Sequence, residues 1–382
     1  MKHLRKLLSD KVGRRRVALQ PLDEHLQAAA DWLLRAQKAT PDDGVAHSYD
    51  IRARKWLPSY PETTGYIIPT FYDYARYFNA PKCADAAYRM AIWESEIQLK
   101  DGGVRAGHMG AEVVAPTIFN TGQVLFGWAR AFRETGDERL KSSLKRAADW
   151  LVLAQDEDGG WRRYASLFTS AKLNSYNTRS AFGLVRAHEV LGDPRYLEAA
   201  VANVQWAIGR AHSDGWLPEN SLTARPDDSA LTHTIAYSIR GILEVGVASG
   251  NQQFLEHALK MARAVSRHQW QDGALPAYYG PGWGQKADWT CITGNSQMAI
   301  NWLRLAQVMG DRSLIAHAVN ANRFNMSMQD IVTHDSDLRG GLAGSYPINE
   351  QYMRYRYPNW AAKFFMDGLM LEKLFDDVQD IG

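Results

Sequence analysis

The sequence predicts an all-α fold, an (α/α)6 toroid in which six helix pairs of about 57 residues close into a ring. Three recurring features predict it. Asp-Gly occurs at Asp43-Gly44, Asp101-Gly102, Asp158-Gly159, Asp214-Gly215 and Asp272-Gly273, at a nearly constant interval. Arg339-Gly340-Gly341 follows after a somewhat longer gap as a sixth, altered member. Thr64, Thr121, Thr178, Thr234, Thr293 and Asn359 keep a nearly fixed distance after these turns, and each opens an apolar run. Trp93, Trp150 and Trp206 stand two helical turns before the Asp, and Gln98, Gln155 and Gln269 stand one turn before it.

Each unit therefore reads as a helix, an Asp-Gly turn, a loop of about 20 residues, a second helix and a short turn. Thr and Asn at the loop's end are expected as N-caps, whose side-chain oxygens accept from free first-turn N–H groups. Gly136, Gly192, Gly250 and Gly310 close the second helices, where a left-handed residue is often needed. Segments after the long loop, such as Thr121–Phe132, are apolar nearly all round and are expected inside. Segments before it, such as Arg139–Ala154, carry charge on one face and are expected outside. An open solenoid would need polar terminal units, but the terminal units here are as aromatic as the middle. The expected division is a basic N-terminal tail over 1–20 and one toroid domain over 21–382.

Composition narrows the function. The chain has 382 residues, 44 Lys+Arg against 42 Asp+Glu, and a net charge of +2, so no nucleic-acid partner is expected. Two cysteines, Cys83 and Cys291, exclude a disulfide scaffold and a Cys-rich metal centre. No run of about 18 apolar residues is present to span a membrane, and no apolar signal core follows the basic start. A cytoplasmic protein is expected. Lys2, Arg5, Lys6, Lys11, Arg14, Arg15 and Arg16 against Asp10 form a patch suited to an anionic membrane surface or a polysaccharide-synthesis complex.

A ring of this kind gathers the inner-helix N-termini and all six long loops at one mouth, which makes a cleft with the positive ends of helix dipoles turned into it. The loops hold more than half of the Tyr residues. The rings either pack the loops down or stack on sugars. The substrate-binding candidates are Trp56, Tyr60, Arg105, His108, Trp161, Tyr176, Asn177, Trp216, Glu219, Tyr279, Trp283, Trp289, Arg356, Asn359 and Trp360. The arginines favour an acidic sugar, because guanidinium holds carboxylate through paired hydrogen bonds.

Two chemistries compete at such a cleft. Removing the C5 proton of a uronate needs a base, an acid and a cation on the carboxylate. Tyr346, Tyr352, Arg354 and His233 are the candidates for it. Hydrolysis needs two carboxylates about 5 to 9.5 Å apart, drawn from Glu62, Glu112, Glu219, Asp288 and Glu350. A glycan-binding protein without catalysis is a third reading. Asp288, Cys291 and His334 lack the spacing of a zinc site, no Asp-x-Asp-Asp acid motif occurs, and neither a phosphate loop nor a Gly-x-Gly-x-x-Gly motif is present. No cofactor and no metal are therefore expected.

The pattern Trp150–Gln155–Asp158-Gly159-Gly160-Trp161 resembles α/α-toroid enzymes, among them polysaccharide lyases, glucuronyl C5-epimerases and glycoside hydrolases. The segments YPETTGYIIPTF from Tyr60, FNTGQVLFGW from Phe119, WTCITGNSQMAINWLRL from Trp289 and YPNWAAKFFMDGLML from Tyr357 resemble proteins of bacterial exopolysaccharide clusters, the VpsJ-type polysaccharide biosynthesis proteins. That resemblance implies a carbohydrate context, with an oligo- or polysaccharide partner, and leaves the reaction open.

Overall fold

A computed structural model describes residues 2–11, 19–165, 170–171 and 173–379. Lys172 and the basic residues Arg14, Arg15 and Arg16 lie outside the described residues. The described residues build thirteen helices, none of them long and apolar enough to cross a membrane. A short α1 (Lys2–Lys11) precedes six outer helices: α2 (Leu22–Lys38), α4 (Pro81–Ile97), α6 (Glu138–Ala154), α8 (Pro194–Gly209), α10 (Gln252–Ser266) and α12 (Ser313–Met328). They alternate with six inner helices: α3 (Pro61–Phe78), α5 (Ile118–Thr135), α7 (Thr178–Leu191), α9 (Thr232–Ser249), α11 (Ile292–Met309) and α13 (Asn359–Gln379). Each inner helix packs on the next, and α13 returns to α3, so the expected (α/α)6 ring closes.

Burial explains the two layers. Nearly every residue of α9 and α11 is buried, whereas α6 and α10 bury one stripe and leave their charges in water. Small residues set the spacing of the inner ring. A Cβ added to Gly127 of α5 would collide with the carbonyl oxygen of Gly65 on α3, so only glycine lets these backbones meet.

The repeated turn residues have a clear mechanical role. Gly159 sits at φ +88°, a left-handed conformation that other residues adopt at a cost. The Gln155 amide donates to Gly159 O at 3.0 Å and to Ala199 O at 2.9 Å, tying the turn to the next outer helix. Gln98 and Gln269 repeat this arrangement. Gln329 supplies it in the sixth unit, donating to Gly340 O and to His25 O across the ring closure. The repeat Trp residues lie in the packed layer between helices, with Trp150 and Trp93 buried.

The loop-end threonines are not N-caps, which corrects the sequence expectation. The helices start earlier or at a neighbour, with Tyr60, Thr117, Leu231 and Cys291 in the cap positions of α3, α5, α9 and α11. Thr64 and Thr121 therefore fall inside the first turn. Each donates to the carbonyl four residues back, and each accepts from a loop N–H, that of Val45 or Val104, at 2.9 Å. They pin the start of a loop to the inner helix it feeds. The short-turn glycines are left-handed as expected, with Asn79 taking that place after α3.

Small antiparallel sheets tie the loops together at one mouth. Strand β1 (Ser48–Asp50) pairs with β2 (Lys55–Trp56) and with β7 (Arg356–Pro358), joining loops one and six. Strand β3 (Ala230–Leu231) pairs with β4 (Tyr278–Tyr279), and β5 (Thr290–Cys291) pairs with β6 (Ser345–Tyr346). Helix α1 docks beside loop six: Lys6 pairs with Asp10 at 2.6 Å, and the Asp10 carboxylate accepts from Ile348 N at 3.1 Å.

Candidate active site

The long-loop mouth converges on one carboxyl group. Glu62 is the second residue of α3 and accepts a 2.6 Å hydrogen bond from the Tyr60 hydroxyl. Burial pushes its carboxyl up to about 7, and the Tyr60 bond offsets only part of that rise. The Glu62 charge in turn adds to the burial that raises Tyr60, Tyr66, Tyr176, Tyr237 and Tyr352. One acid thus stands among five phenols.

His233, the second residue of α9, faces the same space. Its Nδ1 lies 2.7 Å from Gln297 Oε1, so that nitrogen carries the proton and Nε2 keeps its lone pair. Burial depresses its pKa to about 4, against the opposing hydrogen bond to Gln297, and the ring is neutral at pH 7. It packs on Tyr237 at 4.4 Å and on Tyr352 at 5.6 Å between ring centroids. The Trp360 indole donates to the Tyr352 hydroxyl at 2.8 Å and fixes that phenol from α13.

A rim of two histidines and two arginines borders this cluster. His47 packs on Trp360 at 4.8 Å, on Tyr60 at 5.1 Å and on His108 at 6.2 Å. Burial, then the charges of His108 and Arg356, depress His47 to about 3, and burial with Arg105 and Arg356 lowers His108. Arg105 is buried, donates one hydrogen bond to Ala111 O at 2.9 Å, and leaves its Nε without an acceptor. Arg356 lies 3.5 Å from the Asp50 carboxylate.

The other sequence candidates lie in different settings. Tyr176 packs on Phe119, which meets Tyr237, and Asn177 beside it has a buried Oδ1 without a partner. The Asn359 amide clamps loop one, donating to Ala46 O and Thr63 Oγ1. Trp56 packs on Trp32 and Tyr49. Trp161 donates to Leu151 O, Trp216 to Asp228 and Trp283 to Asp214 O. These three, with the buried Tyr279 and Trp289, fasten loops to the barrel. The Tyr346 hydroxyl points to Asp10 O of α1, and Arg354 is exposed over the Tyr355 ring. Glu219 pairs with Arg210, Asp288 and Glu112 are exposed, and Glu350 is half-buried in loop six. Of the five carboxylates considered for paired hydrolysis, only Glu62 joins the phenol cluster.

Tyr66, Tyr237 and Gln297 also belong to the site, although sequence reasoning does not select them. Each lies four residues beyond a mouth residue of its inner helix (Glu62, His233 and Thr293), which is one helical turn deeper. That spacing is the signal in the sequence that could have found them.

No family model matches this chain, and no curated protein matches it. Solved structures do. An unsaturated glucuronyl hydrolase specific for heparin superposes with a TM-score of 0.73 at 16% identity, covering 93% of this chain and 98% of its own. A D-mannose isomerase gives a TM-score of 0.71 at 13% identity, covering 93% of this chain and 97% of its own. A cellobiose 2-epimerase from Bacillus thermoamylovorans B4167 gives 0.70 at 10% identity, covering 90% and 98%. At these identities the likeness establishes the fold.

Proposed function

We propose that this protein is a carbohydrate-active enzyme that moves a proton at a carbon of an acidic sugar, as a uronate epimerase or lyase does. The observation that carries the reading is Glu62, a carboxyl lifted to about 7 and held by Tyr60 beside the neutral imidazole of His233. Near pH 7 Glu62 still holds a proton to give and His233 holds none, so one can donate and the other accept, as such chemistry requires. The structural neighbours named as a mannose isomerase and a cellobiose 2-epimerase support a carbohydrate substrate.

In this mechanism Arg105 and Arg356 hold the uronate carboxylate and stabilise the charge that develops when the C5–H bond breaks. His233 Nε2 takes that proton. In an epimerase, protonated Glu62 returns a proton to the opposite face of C5, and Tyr60 relays its replacement. In a lyase, Tyr352 protonates the departing C4 oxygen as the C4–C5 double bond forms. The substrate is read as a bacterial exopolysaccharide, with the basic N-terminal segment as its contact to membrane or synthesis machinery.

Hydrolysis of an unsaturated glucuronyl residue is the second reading, favoured by the likeness to glucuronyl hydrolases. Proton NMR of uronate oligosaccharides in deuterated water separates the cases. Loss of the C5 proton signal identifies an epimerase, a new alkene proton a lyase, and loss of a pre-existing alkene signal with a new reducing end the hydrolase. Line broadening without any chemical change would overturn the enzyme reading in favour of a glycan-binding protein.

A further inference from the structure

The barrel contains a cavity that shares Tyr66, Tyr237 and Gln297 with the phenol cluster and extends away from the long loops. This cavity of about 600 Å³ lies below Tyr66 and Tyr237, among the later turns of the inner helices. Its wall includes Arg76, Arg133 and Leu374, which are exposed at the short-turn end. It therefore opens on the face opposite the long loops. Tyr60, Glu62, His233 and Tyr352 do not line it.

The wall is strongly cationic. Arg76, Arg130, Arg133, Arg179, Arg186, Arg240 and Lys363 contribute positive charge, against Asp73 and Asp367. Most of these cations have carboxylate partners. Arg130 pairs with Asp73 at 2.7 Å, Arg133 and Arg186 with Glu189, Arg240 with Glu244, and Lys363 with Asp367.

Arg179 is the exception. It is 7% exposed and has no carboxylate partner among the described residues. Its Nε reaches Gln123 Oε1 at 3.4 Å, and its terminal nitrogens have no acceptor among the described residues. Phe126, Phe182 and Tyr237 surround the guanidinium, at 4.4, 5.2 and 5.8 Å from its carbon to the ring centroids. The Gln123 amide nitrogen beside it is also buried without a partner. Burial, with the nearby charge of Arg240, lowers the Arg179 pKa to about 10. The Asp367 charge acts on Arg179 without an ion pair between them, and a buried guanidinium lacking a hydrogen-bonded counter-ion is expensive.

We propose that this cavity binds a small organic oxyanion, a carboxylate or phosphate on a ring or short apolar body, with Arg179 as its buried counter-charge. The guanidinium fork matches two oxygens of either group. Phe126, Phe182, Ile300 and Met370 offer the apolar wall for the body, and the volume falls in the range of small-molecule sites. The proposal does not depend on the reaction assigned to the long-loop mouth.

The test is calorimetric titration of the full chain with inorganic phosphate, benzoate, and benzyl alcohol as the neutral control. Saturable binding of phosphate or benzoate, but not benzyl alcohol, is expected, and the tighter of the two identifies the oxyanion. Arg179→Gln is expected to weaken it at least tenfold, and Glu62→Gln to leave it unchanged. Crystals soaked in selenate give a readout without a variant, with the anomalous peak expected beside Arg179. Absence of oxyanion binding, equal affinity in Arg179→Gln, loss of affinity in Glu62→Gln, or a selenate peak only at the long-loop mouth would each overturn the assignment.

Discussion

Replacing Glu62 by Gln gives a coupled prediction for stability and activity. The Glu62 carboxyl is displaced from 4.5 to about 7 by folding. Between those values the folded state holds a proton that the unfolded state has released, so stability falls as pH rises through the window. At about 1.36 kcal/mol per pH unit, the full displacement costs about 3 kcal/mol above pH 7 and nothing below pH 4.5. A glutamine side chain there has no charge to bury and can still accept from the Tyr60 hydroxyl. Glu62→Gln should therefore be more stable than the parent protein by up to about 3 kcal/mol at pH 8 and indistinguishable from it at pH 4. In a chain of this size that is a midpoint shift of about 4 °C, from about 2.1 cal/mol/K of unfolding entropy per residue. The assay is urea denaturation at half-unit steps from pH 4 to 8, with turnover of uronate oligosaccharide measured on the same samples. Gain of stability with loss of turnover is the expected pair, the trade found where a functional group is held in an unfavourable environment. Parallel stability profiles for the two proteins across this range would refute the placement of Glu62 as a buried acid.

Further predictions concern the imidazole and the turns. Gln297→Glu places a carboxylate against His233 Nδ1 and should raise its pKa by at least about one unit, moving the acid limb of the activity profile upward; histidine NMR titration checks it. Gly159→Ala combines a φ of +88° with a Cβ that collides with Ala202 O, whereas Gly192→Ala has a φ of +72° and open space. Urea denaturation should show Gly159→Ala to be about 2 kcal/mol or more below Gly192→Ala, which loses about 1 kcal/mol.

The ring is legible in the sequence because its signals are local and repeated. Asp-Gly spacing, Gly-terminated helices and the contrast between apolar and amphipathic runs each report on a few neighbouring residues, and their recurrence in four or five of the six units makes the pattern legible. Thr64 and Thr121 mislead because a cap and a first-turn staple differ by only a few positions in sequence, and only the loop N–H they accept from distinguishes them. Gln329 is hidden because the sixth unit has Arg339 in place of Asp and extra residues before Gly340. At the site, Tyr60, Glu62, His233, Tyr352 and Trp360 can be selected from the loop ends. Loop tryptophans such as Trp161 and Trp216 stand out on the same composition, yet their indole N–H groups serve the scaffold. Arg179 cannot be separated from surface arginines by sequence, since its isolation depends on which side chains the neighbouring inner helices bring against it.

The paired tethers at the foot of the first two loops have a consequence for how such a molecule can change. In the second unit, Gln98 fixes the turn carbonyl to α6, and Thr121 fixes Val104 just beyond it. Beyond these feet the segment from Arg105 to the start of α5 is held by Asn120, which donates to Arg105 O at 2.9 Å, and by Met109 N, which donates to Ser59 O of loop one at 2.8 Å. Substitutions at its exposed positions, such as Glu112 and Val113, change rim chemistry with the least strain on the barrel. Exchanging loops one and two with their feet included is therefore the natural way to alter what the mouth recognises.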